Sequence, residues 1–166
     1  MKKKGIKSLF KEINWNLFFL SLIAVYGTSL LGGIFTSRGV NSLWYLTVRP
    51  SITPPNWVFP LVWNILFFLI FLSLYISLKN AKTKKTSCKI EILFGINLIL
   101  NFLWSFFYFW LRNPTIAFID LILLEFSIIA LICCSWKINR KASLLLVPYL
   151  LWISFAGVLN YLSAFT

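Results

Sequence analysis

The sequence has no histidine, only three cysteines and only four acidic residues in a chain of 166. Without histidine, a His-ligated haem has no ligand and the usual nucleophile–base pairs have no base. The cysteines, Cys88, Cys133 and Cys134, show no C-x-x-C spacing, so a zinc site lacks its ligand set. We therefore expect no metal and no required cofactor, and the chain offers no ordinary catalytic apparatus.

Charged residues are also scarce, at 12% of the chain, whereas hydrophobic residues make up 60% and aromatic residues 19%. So little polar surface cannot cover a soluble globule, and the composition predicts an integral membrane protein in contact with the lipid bilayer. The formal net charge is +12. The basic residues, however, are gathered in short clusters between apolar runs, as membrane topology requires, so we expect no nucleic-acid partner.

Five apolar runs are long enough to cross a bilayer as helices, because a span needs about 20 residues. They cover approximately residues 13–35, 57–78, 90–111, 114–136 and 142–165. The predicted fold class is therefore an all-α, five-helix transmembrane bundle in one domain, 1–166. Pro114 is suited to the first turn of the fourth helix. Pro148 lies inside the fifth helix and predicts a kink there.

The distribution of Lys and Arg predicts the orientation. Thirteen of the sixteen lie in the N-terminal tail, the second loop and the fourth loop, and the other three are Arg38, Arg49 and Arg112. By the positive-inside rule we expect the N-terminus in the cytoplasm, and the first loop and the C-terminus outside. The protein is then a multi-pass protein of the inner cell membrane, of bacterial or archaeal type.

The stretch 44–63 differs from the apolar runs around it. Four prolines fall within it, Pro50, Pro54, Pro55 and Pro60, and they disfavour a continuous helix. The same stretch is rich in aromatic residues, among them Tyr45, Trp57, Phe59 and Trp63. A stiff, aromatic, non-helical segment between two spans predicts a lid or pocket wall rather than a flexible linker.

Polar and aromatic residues recur at helical spacing on two of the later spans. On the third they are Asn97, Asn101, Trp104 and Tyr108, and on the fifth they are Tyr149, Trp152, Ala156 and Asn160. Each stripe alone is explained by helix packing with amides bonding across the bundle. Together with the aromatic segment, the stripes predict a mostly apolar pocket with a few polar anchors, suited to a flat hydrophobic ligand.

Asp120 and Glu125 are the acids expected at membrane depth, where a carboxylate is costly and should face protein or water. Five residues apart on a helix, they point in different directions, so they do not form a paired-carboxylate catalytic site. The helix dipole alone can account for Asp120 near the start of its helix. A proton relay remains an open alternative.

Several motifs together resemble the translocator protein family, also called the tryptophan-rich sensory proteins. They are Trp44-Tyr45, Arg49-Pro50-Ser51, the run 53–59 (TPPNWVF) with Trp63, Leu100-Asn101 with Trp104, Ala117 and Asp120, and the run 145–160 (LLVPYLLWISFAGVLN). The resemblance extends from the first helix to the C-terminus. Two features depart from the family pattern. Ile52 stands where members usually have tryptophan, and the sterol-recognition pattern that begins at Val158 and Tyr161 has no Lys or Arg after it.

The resemblance implies a five-helix bundle, often a homodimer, that binds protoporphyrin, haem-like tetrapyrroles, sterols or synthetic ligands beneath the first loop. Seven residues match pocket or pocket-adjacent positions of the family: Tyr45, Trp63, Asn101, Trp104, Trp152, Ala156 and Asn160. We add Pro54 and Pro55 from the lid and Tyr149 from the fifth-helix stripe to the expected ligand-binding site.

Three functions remain open at this point. The first is a receptor or carrier that senses, scavenges or moves a porphyrin-like ligand. The second is an enzyme that degrades protoporphyrin in light and oxygen, for which the resemblance implies Trp63 and Trp152 as the participating indoles. The third is a transporter with inverted repeats or broken helices at matched positions, and the sequence contains no such repeat.

Overall fold

The structure is a computed structural model that describes residues 13–166, and within that range it is helical, without strands. Its helices are α1 (Trp15–Gly39), α2 (Leu43–Val48), α3 (Val58–Lys79), α4 (Lys84–Ser105), a π-helical turn (Phe106–Trp110) that continues α4, α5 (Pro114–Trp136), α6 (Arg140–Leu144) and α7 (Val147–Phe165). The lysines of the N-terminal tail, used above to predict orientation, lie outside the described residues.

Five segments are long and apolar enough to cross a membrane: Trp15–Gly39, Val58–Lys79, Lys84–Trp110, Pro114–Trp136 and Arg140–Phe165. The predicted all-α fold with five spans is therefore confirmed. Large apolar side chains are exposed along these helices, such as Leu30 at 72% and Ile23 at 68%. A membrane protein presents such surfaces to lipid rather than to water.

Asparagine and threonine side chains cap the N-termini of several of these helices. They accept hydrogen bonds from backbone N–H groups that would otherwise be unpaired. Asn14 Oδ1 accepts from Leu17 N at 3.2 Å, and Asn113 Oδ1 accepts from Ile116 N at 3.0 Å. Pro114 follows Asn113 and occupies the first turn of α5, as predicted. Thr83 caps α4, and the helix begins at Lys84, six residues before the predicted boundary at residue 90. That boundary was wrong, because a capped helix tolerates lysines in its first turns.

The predicted kink at Pro148 is instead an interruption of the helix. α6 ends at Leu144 and α7 begins at Val147, so Pro148 lies in the first turn of α7. A proline there lacks only an N–H group that would have no intrahelical acceptor. The chain between them turns through a short-range bond, from Leu146 N to Ser143 O at 3.0 Å.

The first connecting segment, residues 40–57, joins α1 to α3. The prediction of non-helical structure from residue 44 was wrong for its first part, because α2 occupies 43–48. Ser42 caps α2 by accepting from Tyr45 N at 3.2 Å, and α2 ends at Val48, just before Arg49. Proline restricts the residue that precedes it to extended geometry, so Pro50 stops this helix without preventing it. The rest of the segment, up to residue 57, is non-helical.

α1 and α3 run side by side, and aromatic contacts hold them at the end where α1 begins. The rings of Phe18 and Phe71 meet edge to face, with centroids 5.0 Å apart, and Asn14 N donates to the Tyr75 hydroxyl at 3.3 Å. Buried side chains of α3, α4, α5 and α7 fill the centre of the bundle, among them Phe94 and Tyr149. Towards the first connecting segment, a cavity lies between the helices.

The orientation can be tested with a membrane-impermeant thiol reagent on intact cells. Cys88 is exposed at the lysine-rich start of α4, and Ser51 is exposed in the first connecting segment. In a background with Cys133→Ser and Cys134→Ser, we expect a cysteine at Ser51 to be labelled and Cys88 to be protected. Labelling of Cys88 with protection of position 51 would reverse the predicted topology.

Candidate ligand-binding cavity

The cavity has a volume of about 360 Å³ and is enclosed by α1, α3, α4, α7, the π-helical turn and the first connecting segment. Its lining residues are Thr28, Ser29, Gly32, Gly33, Thr36, Ser37, Val40, Tyr45, Pro50, Thr53, Asn56, Phe59, Pro60, Trp63, Asn64, Phe67, Asn101, Trp104, Ser105, Tyr108, Phe109, Ala156, Leu159, Asn160 and Ser163. None of these side chains is charged, so the lining consists of aromatic faces, hydroxyl groups and amides.

Two stacked pairs form the aromatic walls. The ring centroids of Trp63 and Phe67, both in α3, are 5.3 Å apart with an interplanar angle of 30°. Those of Trp104 in α4 and Tyr108 in the π-helical turn are also 5.3 Å apart, at 22°. Both pairs follow from helical spacing, because residues four apart lie above one another on the same face. Rigid aromatic surfaces on two walls can contact a planar ligand without large losses of side-chain entropy.

Behind the cavity, an amide and hydroxyl network ties α4 to α5 and α7. Asn101 Nδ2 donates to the Tyr149 hydroxyl at 3.0 Å, and that hydroxyl donates to Asn97 Oδ1 at 3.4 Å. Asn97 Nδ2 in turn donates to Ser127 Oγ at 2.8 Å. Buried polar groups are costly unless paired, so the network holds the Asn101 amide in one orientation beside the cavity.

Three further hydrogen bonds fix polar groups nearer the first connecting segment. Trp104 Nε1 donates to Asn160 Oδ1 at 2.9 Å, while Asn160 Nδ2 donates to the Pro114 carbonyl at 2.7 Å. In the π-helical turn that continues α4, the Tyr108 hydroxyl donates to Ser163 Oγ at 2.9 Å. These bonds set the plane of the Trp104 ring, so its exposed face is presented to the cavity.

Tyr45 lies in α2, outside the spans, and is 5% exposed. Burial raises the pKa of its hydroxyl above the ordinary value, and the nearby Arg49 guanidinium partly opposes the shift. The hydroxyl therefore stays protonated at neutral pH. It has no hydrogen-bond partner within residues 13–166, so it can donate to a bound ligand.

Six of the ten residues predicted for the ligand site line the cavity: Tyr45, Trp63, Asn101, Trp104, Ala156 and Asn160. The other four do not. Tyr149 is fully buried behind Asn101, and Trp152 packs against Phe59 with centroids 5.9 Å apart. Pro54 and Pro55 do not line the cavity either. From this part of the connecting segment, Pro50 and Thr53 do.

α1 contributes a polar wall to the cavity that was not predicted from the sequence. Thr28, Gly32 and Thr36 recur every four residues, as do Ser29, Gly33 and Ser37, and all six line the cavity. Their i, i+4 spacing was visible in the sequence. Small residues at this spacing on a membrane helix are more often explained by close helix approach, so the spacing alone does not indicate a cavity wall. Thr36 Oγ1 lies 3.4 Å from Ser105 Oγ, which joins this wall to α4.

The two membrane-depth acids are in different surroundings, as their spacing predicts. Asp120 is 5% exposed, and its Oδ2 is buried without a hydrogen-bond partner among the described residues. Glu125 Oε1 accepts from Ser154 Oγ at 2.5 Å. The two carboxyl groups have no shared partner within residues 13–166.

The network behind the cavity predicts the effect of Tyr149→Phe. Removing this hydroxyl leaves Asn101 Nδ2 without its acceptor, so we expect unfolding free energy to fall by roughly 1–3 kcal/mol. Denaturant or thermal unfolding in detergent measures it. Tyr161→Phe is the matched control, because Tyr161 is 50% exposed and its hydroxyl has no partner in the described chain. Equal losses in both variants would show that the network does not stabilise the fold.

Together, the fold and the cavity define a class: a multi-span α-helical membrane protein with an aromatic, uncharged cavity at one end of the bundle. The TspO/MBR family model matches residues 19–164, and the chain belongs to that family. The resemblance seen in the sequence motifs is thereby confirmed.

Three relatives illustrate the breadth of the family. The tryptophan-rich protein TspO of Archaeoglobus fulgidus is 41% identical over 142 residues, covering 85% of this chain and 90% of the relative. The protein of the same name from Chlorobaculum tepidum is 39% identical over 132 residues, covering 78% and 82%. The translocator protein of Bos taurus is 31% identical over 134 residues, covering 79% and 78%.

Proposed function

We propose that this protein is a membrane receptor or carrier that binds a planar, tetrapyrrole-like hydrophobic ligand, such as protoporphyrin, in the cavity. The observation that carries the proposal is the pair of stacked aromatic walls, Trp63 with Phe67 and Trp104 with Tyr108. A macrocycle gains most from flat aromatic faces, because stacking and apolar burial both increase with contact area.

The volume of about 360 Å³ falls in the range of small-molecule pockets, roughly 300–1,000 Å³. It is at the lower end of this range, so a macrocycle fills the cavity and extends toward its rim. Asn56 and Asn64 lie on that rim, because both line the cavity and are exposed. In the proposed complex, these amides bond the polar edge of the ligand while its apolar ring lies between the aromatic walls.

The polar groups inside the cavity give the ligand one orientation. The Tyr45 hydroxyl is a free donor, and Asn101 uses its Nδ2 on Tyr149, which leaves its Oδ1 as an acceptor. A macrocycle with carboxyl groups on its rim can use both, because a carboxyl group accepts hydrogen bonds and, when protonated, donates one. A saturated apolar ligand of equal size can use neither, and on this basis the cavity favours tetrapyrroles over simple hydrocarbons.

The names of relatives support a role in carrying a ligand. One is called a translocator protein, and others are called tryptophan-rich proteins. We extend the proposal to a homodimer in the inner membrane, with the first connecting segment outside and acting as a lid over the cavity. Sensing, scavenging and transport all begin with the same binding step, so binding is tested first.

The direct test is a titration of purified protein with protoporphyrin in the dark, followed by absorbance and by quenching of tryptophan fluorescence. We expect saturable binding at one site per chain. Ala156→Trp, which places an indole inside the cavity, should abolish it, while Leu151→Trp adds the same group to the exposed side of α7. Binding that survives Ala156→Trp in a folded protein would refute this location.

Light separates binding from degradation. Of the two indoles that the resemblance implies for photo-oxidation, Trp63 lines the cavity and Trp152 lies behind Phe59. We therefore expect illuminated complexes to show the same non-specific bleaching in wild type and in the Trp63→Phe/Trp152→Phe variant. A defined product made only by the wild type would establish the enzyme instead.

A further inference from the structure

A second depression lies beside the end of α1, separate from the ligand cavity. It measures about 390 Å³ and is lined by Phe35, Arg38, Gly39, Ser42, Phe109, Trp110 and Arg112. We call it the arginine cleft. It lies where α1 and the π-helical turn end. Because these are the ends of two spans, the cleft is at the level of the lipid headgroups. Phe109 lines both the cleft and the ligand cavity and forms the wall between them.

The charge of the cleft is entirely positive. Arg38 and Arg112 are both exposed, and the other lining residues are neutral. The structure describes three acidic residues, Glu91, Asp120 and Glu125, and none of them lines the cleft. Two guanidinium groups around one depression attract an anion, and the planar fork of arginine matches a phosphate group.

The backbone around Arg112 is held in a specific shape. Arg112 has φ of 51°, in the left-handed region that non-glycine residues rarely adopt. Two bonds flank it, from Leu111 N to Phe106 O at 3.0 Å and from Asn113 N to Phe107 O at 3.1 Å. A glycine would adopt this conformation at lower cost. The chain instead has an arginine here, with its side chain on the cleft.

The walls of the cleft are suited to a lipid. Trp110 is 56% exposed and lies 5.7 Å from Phe35, centroid to centroid. Tryptophan at the end of a span is typical of the membrane interface, where its ring contacts the upper part of acyl chains. The cleft therefore combines a cationic rim for a headgroup with an aromatic wall for the chain beneath it.

We propose that the arginine cleft binds the phosphate of an anionic phospholipid headgroup, through Arg38 and Arg112. This site is separate from the proposed tetrapyrrole cavity and does not depend on that function. The shared chemistry is a phosphate anion, which can come from a lipid or from solution. The position at headgroup depth and the aromatic wall favour the lipid.

The experiment compares thermal unfolding of the full chain in nanodiscs of phosphatidylcholine with and without phosphatidylglycerol. We expect phosphatidylglycerol to raise the unfolding temperature of the wild type by roughly 2–4 °C. The double variant Arg38→Gln/Arg112→Asn should lose the shift, and asparagine is chosen because it tolerates positive φ. Native mass spectrometry of retained lipid gives a readout that does not depend on stability.

Controls distinguish lipid binding at the cleft from a general effect of positive charge on the protein surface. Arg49→Gln removes a basic residue of the first connecting segment that does not line the cleft, and it should keep the shift. In detergent, inorganic phosphate should produce little stabilisation. If it stabilised the protein as much as phosphatidylglycerol does, the cleft would be a site for a soluble anion and the lipid assignment would be wrong. A wild type that gains nothing from phosphatidylglycerol, or a double variant that gains as much and retains as much lipid, would overturn the proposal.

Discussion

Replacing Trp63 with alanine is expected to weaken protoporphyrin binding by roughly 10- to 100-fold, or about 1.4–2.8 kcal/mol. Trp63 lines the cavity and is stacked on Phe67 and packed edge to face with Tyr149, 6.3 Å away. Alanine removes the aromatic face offered to the ligand and loosens the wall behind it. A dark titration that follows the porphyrin absorbance measures the dissociation constant.

Two further tryptophan substitutions locate the effect. Trp152→Ala should weaken binding less than Trp63→Ala, because Trp152 reaches the cavity only through Phe59. Trp136→Ala is the remote control, since Trp136 lies at the other end of the bundle under Arg140, and it should leave the affinity unchanged. If Trp136→Ala weakened binding as much as Trp63→Ala, the site would not be the cavity.

The largest expected effect on stability comes from Gly39→Ala. A Cβ atom at Gly39 would lie 2.3 Å from Phe109 Cδ1 and 2.6 Å from Phe109 Cβ. A rotamer change can move Cδ1 away, but it cannot move Cβ, so the backbone of α1 or of the π-helical turn has to shift. We expect a loss of about 3 kcal/mol in unfolding free energy, at the upper end for overpacking.

Gly27→Ala is the matched control on the same helix, because a Cβ there meets nothing within 4 Å. It should be neutral or stabilise by up to about 1 kcal/mol, as alanine favours helix more than glycine does. Adding Phe109→Ala to Gly39→Ala should restore part of the loss, and a double-mutant cycle measures this coupling. Additive effects would mean that the two residues do not clash.

Much of the architecture could be predicted from the sequence, because it depends on local properties. Apolar runs of sufficient length form spanning helices in any bilayer protein, since unpaired backbone groups are not tolerated in lipid. The capping residue Asn113 and the position of Pro114 similarly follow from local rules. The predictions failed where two local rules compete, as at α2, where the Ser42 cap allows a short helix before Pro50 ends it.

The spacing of the stripes predicts that their residues share a helix face, but a shared face does not specify what each residue contacts. Asn101 and Tyr149 were both predicted for the ligand site. The Tyr149 hydroxyl is buried, however, and accepts a hydrogen bond from the Asn101 amide. Trp152 shares the stripe with Ala156, but only Ala156 lines the cavity. Which residues of a stripe line the cavity depends on how α7 is rotated against α3 and α5.

By itself, the sequence determined the membrane class, the number of spans and the family, because length, apolarity and motif spacing are properties of the chain. Only the tertiary structure decided which aromatic residues form the walls, that α1 adds a hydroxyl wall, and that Arg38 and Arg112 meet at one cleft. Those residues are more than 70 positions apart in the chain. Their proximity depends on the packing of α1 against α4 and its π-helical turn, and helical periodicity carries no information about the distance between two helices.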